Sequence, residues 1–221
     1  KRLPGWARPV RDDVLDANPH GRLDMERGLV ESCNAYFAQL GVRVGGPALQ
    51  EAASLFEIPL GQPESAGQVR DTLPFAAYGQ GQVLATPFKM ARVAATLAGG
   101  GAMPQGRWIV DETNRRTEAP KPILAPQQAG RLAAIMRRAV VEGTGKSLKA
   151  IEPPVAGKTG TAEVQDQRSH AWFVGFAPFG GAPAGRISFA VLVEHGGYGG
   201  AVAAPIAGQI VTAARDLKII Q

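Results

Sequence analysis

The residues suited to chemistry lie in two separated segments of this 221-residue chain. The first is Ser32-Cys33-Asn34 and the second is Gly157-Lys158-Thr159-Gly160-Thr161. A serine hydroxyl can relay a proton, and an asparagine amide can hold a substrate amide in register. The second segment combines an ammonium with two hydroxyls. Together the two segments predict a site for a peptide-like substrate that has a negative charge.

Strand periodicity gives the second segment a defined geometry. If residues 155–163 form a strand, alternation places Thr159 and Thr161 on one face and Lys158 and Gly160 on the other. Two hydroxyls beside an ammonium suit a carboxylate, such as the terminal carboxylate of a peptide or that of a β-lactam. Gly160 has no Cβ, so substrate backbone or a packed helix can approach closely.

Nucleotide binding is disfavoured by the residues around the two Gly-Lys pairs. A phosphate-binding loop built on Lys158 requires glycine at position 152, which is Glu152. The same loop built on Lys146 requires glycine at position 140, which is Val140. Without these glycines the backbone amides cannot cradle phosphates.

No metal or cofactor is predicted from the sequence. His20, His170 and His195 lack metal-ligand spacing and have no evident carboxylate or thiol partners, so each is interpreted as a hydrogen-bonded or surface histidine. Cys33 is the only cysteine, which rules out an internal disulfide, and it is interpreted as a small core residue.

Composition predicts one globular domain over residues 1–221. Hydrophobic residues make up 45% and charged residues 19%, which excludes a disordered or coiled-coil chain. The net charge is +5, but the basic runs are short and have no aromatic stacking pattern among them. A solvated surface is therefore favoured over nucleic-acid binding. No apolar run approaches the ~20 residues that span a bilayer.

Several segments, in order, resemble the penicillin-binding transpeptidase family along nearly the whole chain. Ser-x-Asn and Lys-Thr-Gly are two of the three motifs of serine enzymes that react with penicillins. The Ser-Cys-Asn form and the absence of any glycosyltransferase sequence favour the monofunctional class, class B. Further segments that resemble the family are Gly79-Gln80-Gly81, Thr86-Pro87, Met90-Ala91, Gly143-Thr144-Gly145 and 171–178.

The resemblance implies a fold, an activity and residue roles. The fold is α/β (α+β), an antiparallel sheet packed with helices, known as the β-lactamase/transpeptidase-like fold. The activity is that of a peptidoglycan D,D-transpeptidase, which cross-links stem peptides through a serine acyl-enzyme and is the target of β-lactams. The implied catalytic residues are Ser32, Asn34 and Lys158. The implied substrate-binding residues are Thr159-Gly160-Thr161.

The third family motif, Ser-x-x-Lys, is missing, because no serine of the chain is followed by lysine three residues later. The family places this nucleophile farther upstream of Ser-x-Asn than the residues present allow. We therefore expect it before Lys1, in a domain truncated on its N-terminal side.

The alternative to an active transpeptidase is a catalytically inactive relative that acts as a scaffold or binding module in the cell-wall machinery. A third hypothesis is a hydrolytic enzyme, a D,D-carboxypeptidase or β-lactamase. It is disfavoured because the sequence shows no glutamate placed to activate water.

The resemblance also implies partners and a location. The partners are peptidoglycan stem peptides, β-lactams and other cell-wall synthesis proteins, with no nucleic acid. A membrane anchor is expected upstream of this chain, which would place the domain at the cell membrane on its periplasmic, extracytoplasmic face.

Periodicity predicts helices first and a meander of strands afterwards. Helical spacing covers residues 23–40 with an interruption near Ser32, and a second helix begins at Pro47. A helix that begins at Pro87 ends at glycines 99–101, and another with apolar residues from Leu132 to Val140 ends at Gly143. Residues 59–74 are predicted as loop. Strands are predicted over 107–110, 155–163, 170–177 and 186–194, and a closing helix over 201–217 with Val202, Ile206, Ile210 and Val211 facing the sheet.

Overall fold

The structure, a computed structural model, describes residues 1–6, 9–12, 19–60, 66–108, 118–181 and 185–221. These residues form two compact units, Lys1–Ala85 and Thr86–Gln221, and each unit is described by itself. One domain over residues 1–221 stays a prediction.

The first unit is helical, and its first two helices meet at Ser32. The helices are α1 (Met25–Val30), α2 (Asn34–Val44), α3 (Gly46–Leu55) and α4 (Ala66–Ala76). The side chain of Asp24 accepts the N–H of Arg27 and caps α1. The Cys33 sulfur accepts the N–H of Tyr36 and caps α2. The predicted interruption near Ser32 is therefore confirmed, and two capped helices replace one long helix.

The loop predicted over residues 59–74 is wrong from residue 66 onward, because α4 begins at Ala66, and residues 61–65 lie outside the described residues. Pro74 lies inside this helix, where proline ordinarily breaks the hydrogen-bond ladder. Leu73 and Pro74 are both buried, and the α4 backbone approaches α2 closely. A Cβ added to Gly41 of α2 would lie 2.3 Å from the Cβ of Ala77. Packing has overridden the local preference of the sequence.

In the described residues of the second unit, helices pack with two small sheets. The helices are α5 (Pro87–Ala98), α6 (Pro126–Val141) and α7 (Ala203–Asp216). The strands β1 (Ala102–Met103) and β2 (Lys121–Pro122) pair with each other. The main sheet contains β3 (Ala156–Val164), β4 (Gln167–Ala177) and β5 (Ile187–Val193), and a short 3₁₀ helix, Lys146–Leu148, precedes it.

The main sheet is an antiparallel meander in the order β3-β4-β5, as predicted. The strand predicted over 107–110 is not observed at residues 107 and 108, and residues 109 and 110 lie outside the described residues. α5 begins as expected, because the Thr86 hydroxyl accepts the N–H of Lys89 and Pro87 occupies the first position.

The main sheet lies between two layers of helix. Phe173 and Val191 pack in one core cluster with Val211 of α7. Ala156 and Phe176 pack in a second cluster with residues of α5 and α6. Because Phe173 and Phe176 have opposite parity in β4, the two clusters lie on opposite faces of the sheet. The α/β arrangement of helices on an antiparallel sheet is confirmed.

One detail of the closing helix was predicted wrongly. Val211 is fully buried against the sheet, whereas Ile210 is 37% exposed. The helix therefore turns a narrower apolar stripe to the sheet than the sequence suggested.

Candidate functional site

The Lys-Thr-Gly segment lies in the edge strand of the main sheet. Lys158 pairs with Val174 of β4, and Gly160 pairs with Trp172. Among the described residues, no strand pairs with the other edge of β3. An unpaired edge presents backbone N–H and C=O groups to which an extended chain can bind.

The predicted alternation of side chains along β3 is present. Thr159 stands opposite Phe173, which belongs to the cluster covered by α7. Lys158 stands opposite Val174, which has the parity of Phe176 on the α5 and α6 face. The hydroxyls of Thr159 and Thr161 are therefore on the face opposite to the ammonium of Lys158.

Both threonine hydroxyls are held by neighbouring loops. The Oγ1 atoms of Thr159 and Thr144 are 2.5 Å apart, and Thr144 lies just after α6. The Oγ1 of Thr161 accepts the N–H of Gly199 at 3.4 Å, from the loop after β5. A hydroxyl has one donor and two acceptor positions, so these contacts restrict where each proton can point.

Lys158 is half-buried, and its Nζ donates a hydrogen bond to the carbonyl oxygen of Thr159 at 2.9 Å. Removal from water disfavours the charged form and lowers the pKa of Lys158 to about 8. At neutral pH the side chain is still mostly an ammonium. Its charge acts more strongly here than a fully solvated lysine would, because less water screens it.

Gly199, in the loop after β5, lies close against the backbone of the strand. A Cβ added to Gly199 would lie 2.3 Å from the carbonyl oxygens of both Gly160 and Trp172. A Cβ added to Gly160 would lie 3.1 Å from the Cβ of Trp172. The close approach of the loop therefore depends on the missing side chain of Gly199, and the approach of substrate backbone at Gly160 stays a prediction.

Ser32 and Asn34 lie in the first unit, where Ser32 is in the turn between α1 and α2 and Asn34 is the first residue of α2. Ser32 has φ +60, in the left-handed region, and its N–H donates to the carbonyl oxygen of Leu29. The Nδ2 of Asn34 donates to the carbonyl oxygen of Arg11 at 3.1 Å. The structure therefore brings Ser32 and Asn34 together at the junction of α1 and α2 and Lys158 to Thr161 together in one strand, in different units.

A cluster of possible metal ligands surrounds Cys33. One ligand atom each from Asp12, His20 and Cys33 lies within 4.8 Å of the other two. The His20 Nδ1 and the Asp12 Oδ2 are 3.5 Å apart, and the Cys33 sulfur donates toward the same oxygen at 3.7 Å. The premise that His20 lacks carboxylate and thiol partners is wrong, because the fold supplies both.

The donor atoms of this cluster are of types that a zinc ion can bind. Imidazole nitrogen, thiolate sulfur and carboxylate oxygen are the donors that Zn²⁺ takes, and three protein ligands leave a fourth position. Burial, with a smaller effect from the Asp12 charge, raises the pKa of the Cys33 thiol. A cation would favour the thiolate instead, so metal binding here would release a proton. The prediction of no metal was made from spacing along the chain, which does not reveal contacts between distant residues.

Comparison with known proteins identifies the family. The family model described as the penicillin-binding protein transpeptidase domain matches residues 5–212. This chain belongs to the penicillin-binding protein transpeptidase domain family.

Named relatives agree with this assignment. The chain is 35% identical over 220 residues to the peptidoglycan D,D-transpeptidase PbpA of Mycobacterium tuberculosis, covering 87% of the chain and 44% of that protein. It is 27% identical to the peptidoglycan D,D-transpeptidase MrdA of Acinetobacter baumannii, covering 91% of the chain and 36% of that protein. The chain thus spans less than half the length of these relatives.

Solved structures confirm the fold. Penicillin-binding protein A of M. tuberculosis, as its penicillin G acyl-enzyme complex, superposes with TM-score 0.68 at 30% identity, covering 87% of this chain and 48% of that chain. PBP2 of Pseudomonas aeruginosa superposes with TM-score 0.73 at 28% identity, covering 96% of this chain and 53% of that chain. The fold is that of the penicillin-binding transpeptidases, as the resemblance implied. Within the part of the chain that the structure describes, no helix has the length and hydrophobicity needed to cross a bilayer.

Proposed function

We propose that this chain is the C-terminal part of a peptidoglycan D,D-transpeptidase domain. Its nucleophile is a serine in a Ser-x-x-Lys segment that residues 1–221 do not contain. The observation that supports this most directly is the arrangement on β3. Two oriented threonine hydroxyls lie on one face of an edge strand, which suits a peptide that ends in a carboxylate. A half-buried ammonium lies on the opposite face, where its charge adds positive potential.

The reaction proceeds in two acyl transfers. The serine oxygen attacks the carbonyl carbon of the penultimate D-alanine, the C–N bond breaks, and the terminal D-alanine leaves as an amine that has gained a proton. The amine of a neighbouring stem peptide then attacks the ester. The C–O bond breaks, a new peptide bond forms, and the serine hydroxyl is restored.

Each site residue has a proposed role in these steps. Thr159 and Thr161 donate hydrogen bonds to the terminal carboxylate, and Lys158 adds the positive potential that attracts it. Ser32 relays a proton between the nucleophile and the leaving amine, and Asn34 holds the substrate amide. Gly160 has no Cβ, which leaves room for substrate backbone beside the strand.

The open edge of β3 supports an extended binding mode for the stem peptide. A chain that adds to a sheet edge gains backbone hydrogen bonds whatever its side chains are. A β-lactam, which contains an amide and a carboxylate at similar spacing, would use the same groups. This explains how one site serves both substrate and inhibitor.

Partners and location extend the same proposal. The M. tuberculosis and A. baumannii relatives are named peptidoglycan D,D-transpeptidases, and another similar structure comes from a peptidoglycan synthase complex. We propose that other cell-wall synthesis proteins are partners, and that an anchor outside these residues holds the domain on the extracytoplasmic face of the membrane.

Intact-protein mass spectrometry with penicillin G tests the proposal. The complete protein encoded by the gene should gain one drug mass, and alanine at its Ser-x-x-Lys serine should abolish the gain. The 221-residue chain alone should gain none, because no serine in it has the lysine partner needed for activation. Stoichiometric acylation of the 221-residue chain would refute this assignment and make Ser32 the next candidate nucleophile.

The inactive scaffold remains the second candidate, favoured only by the missing Ser-x-x-Lys motif. It predicts that the complete protein binds cell-wall proteins but is never acylated. The gene sequence before residue 1 separates the two candidates, because only the transpeptidase requires Ser-x-x-Lys there.

A further inference from the structure

The loop that covers the Lys-Thr-Gly strand is itself tied to β4. We refer to residues 194–202, between β5 and α7, as the glycine-rich loop. Its Gly199 packs on the backbone of Gly160 and Trp172 and donates to the Oγ1 of Thr161. A Cβ added to Gly200 would lie 2.7 Å from the carbonyl oxygen of Thr144. The position of this loop therefore determines what surrounds both threonine hydroxyls.

Several hydrogen bonds join the beginning of the loop to the beginning of β4. The N–H of His195 donates to the Nδ1 of His170 at 2.9 Å. The N–H of Gly197 donates to the carbonyl oxygen of Ser169 at 2.8 Å, and the Nη2 of Arg168 donates to the carbonyl oxygen of Gly196 at 3.2 Å. The His170 side chain thus supplies a hydrogen-bond acceptor at the point where the β4–β5 pairing ends and the loop begins.

The hydrogen bond to His170 is made by a residue with an unusual backbone conformation. His195 has φ +53, a left-handed conformation that non-glycine residues seldom adopt. Its ring packs 4.7 Å from the His170 ring, centroid to centroid, and its Nδ1 lies 3.1 Å from the carbonyl oxygen of Arg168. These contacts fix the turn at which the chain leaves β5 and begins to cross the sheet toward Gly199.

The hydrogen bond also fixes the tautomer of His170. Only an unprotonated ring nitrogen accepts a hydrogen bond from an N–H, so Nδ1 bears no proton and Nε2 bears the hydrogen. Replacement side chains can be ranked on this basis. The Oδ1 of asparagine branches from Cγ, as Nδ1 does, and reproduces the acceptor. The oxygen of glutamine extends one bond farther, and leucine has no acceptor.

We propose that His170 is a positioning residue for carboxylate recognition. By holding the N–H of His195 it places the glycine-rich loop so that Gly199 donates to Thr161. Because the Thr161 oxygen accepts there, the position of Gly199 restricts the orientation of the Thr161 hydroxyl. This inference rests on the proposed function of the site. His170 acts through the loop and contacts no reacting atom in this account.

The test measures acylation of the complete protein by a fluorescent penicillin over a range of concentrations. Loss of one oriented hydrogen bond should raise the half-saturating concentration of His170→Leu about fivefold and change the limiting acylation rate by less than about twofold. His170→Asn should stay within about twofold of the parent in both quantities, and His170→Gln should resemble His170→Leu. A general loss of folding would lower the limiting rate and the active fraction of all three variants alike.

Hydrogen exchange of the ligand-free protein tests separately whether His170 holds the glycine-rich loop in place. In His170→Leu, amides of residues 194–202 should exchange faster, while those of β3 and β4 stay protected. Unchanged exchange in the loop, or equal half-saturating concentrations for the leucine and asparagine variants, would overturn the role of His170. A parent protein that no penicillin acylates would instead refute the proposed function, and the recognition role would fail with it.

Discussion

The hydroxyl oxygens of Thr144 and Thr159 lie 2.5 Å apart. Thr144 belongs to the turn after α6, and Thr159 is the buried central residue of the Lys-Thr-Gly strand. Their contact joins a turn motif and a strand motif that are fifteen residues apart along the chain. It also gives the hydroxyl of Thr159 a fixed partner before any substrate is present.

Thr144→Val should therefore weaken acylation without abolishing it. Removal of one neutral hydrogen bond costs about 1 kcal/mol, which corresponds to about a fivefold slower acylation at low penicillin concentration. Thr144→Ser keeps the hydroxyl and serves as the matched control. Equal rates for the valine and serine variants would show that the contact does not orient Thr159.

Lys158→Ala should slow acylation by a fluorescent penicillin at least about tenfold, because an ammonium is lost from a site that water screens poorly. Lys158→Arg keeps the charge at every accessible pH. The parent should lose activity as pH rises through about 8, the pKa of Lys158, and the arginine variant should lack this component. If the alanine variant is acylated at the parental rate, the charge of Lys158 does not contribute to acylation and the residue has only a structural role.

Lys158 also makes the stability of the folded protein depend on pH. Its pKa is lowered from 10.5 in the unfolded chain to about 8 in the folded one, so the unfolded state binds more protons between these values. The free energy of unfolding should therefore rise as pH increases from about 8 to 10.5. Below pH 8 both states are protonated, and the cost of burying the charge is fully present.

Urea unfolding at pH 7.0 and pH 10 measures this effect, both pH values chosen to bracket the shifted pKa. Lys158→Met removes the titrating group and keeps much of its length. The pH-dependent gain in the parent should exceed that in the methionine variant. Identical pH dependence in the two proteins would mean that Lys158 is solvated as an ordinary lysine.

The cluster at Cys33 should bind Zn²⁺. Titration calorimetry of the purified, chelator-treated protein should show one site, with proton release from the thiol. Because burial raises the thiol pKa, the apparent affinity should increase with pH. Cys33→Ser should weaken binding at least about tenfold, since it removes one of three ligands.

A variant outside the cluster provides the control for zinc binding. His170→Asn changes a histidine that is absent from the cluster of Asp12, His20 and Cys33, so its zinc affinity should match that of the parent. Equal affinity of the parent and Cys33→Ser would show that the metal binds elsewhere.

The strand that contains the site was predictable because the alternation of its side chains depends only on residues that are adjacent in the sequence. Alternation along residues 155–163 placed Thr159 and Lys158 on opposite faces, and the structure shows this arrangement. The cap at Thr86 was predictable for the same reason, since it is a contact across three residues. The sequence also predicted the interruption near Ser32, but not the Cys33 side chain as the cap of α2. By contrast, α4 was missed because local composition around Pro74 favours a turn, and only burial against α2 compensates for it.

The sequence by itself determined the chemistry of this protein: which hydroxyls, amide and ammonium are available, in which order, and on which kind of strand. Tertiary structure alone decided their partners. Thr144 beside Thr159, Gly199 beside Thr161 and the grouping of Asp12, His20 and Cys33 all join residues well separated along the chain. No periodicity records such contacts, because they form only when packing of the sheet, loops and helices brings distant segments within hydrogen-bonding distance.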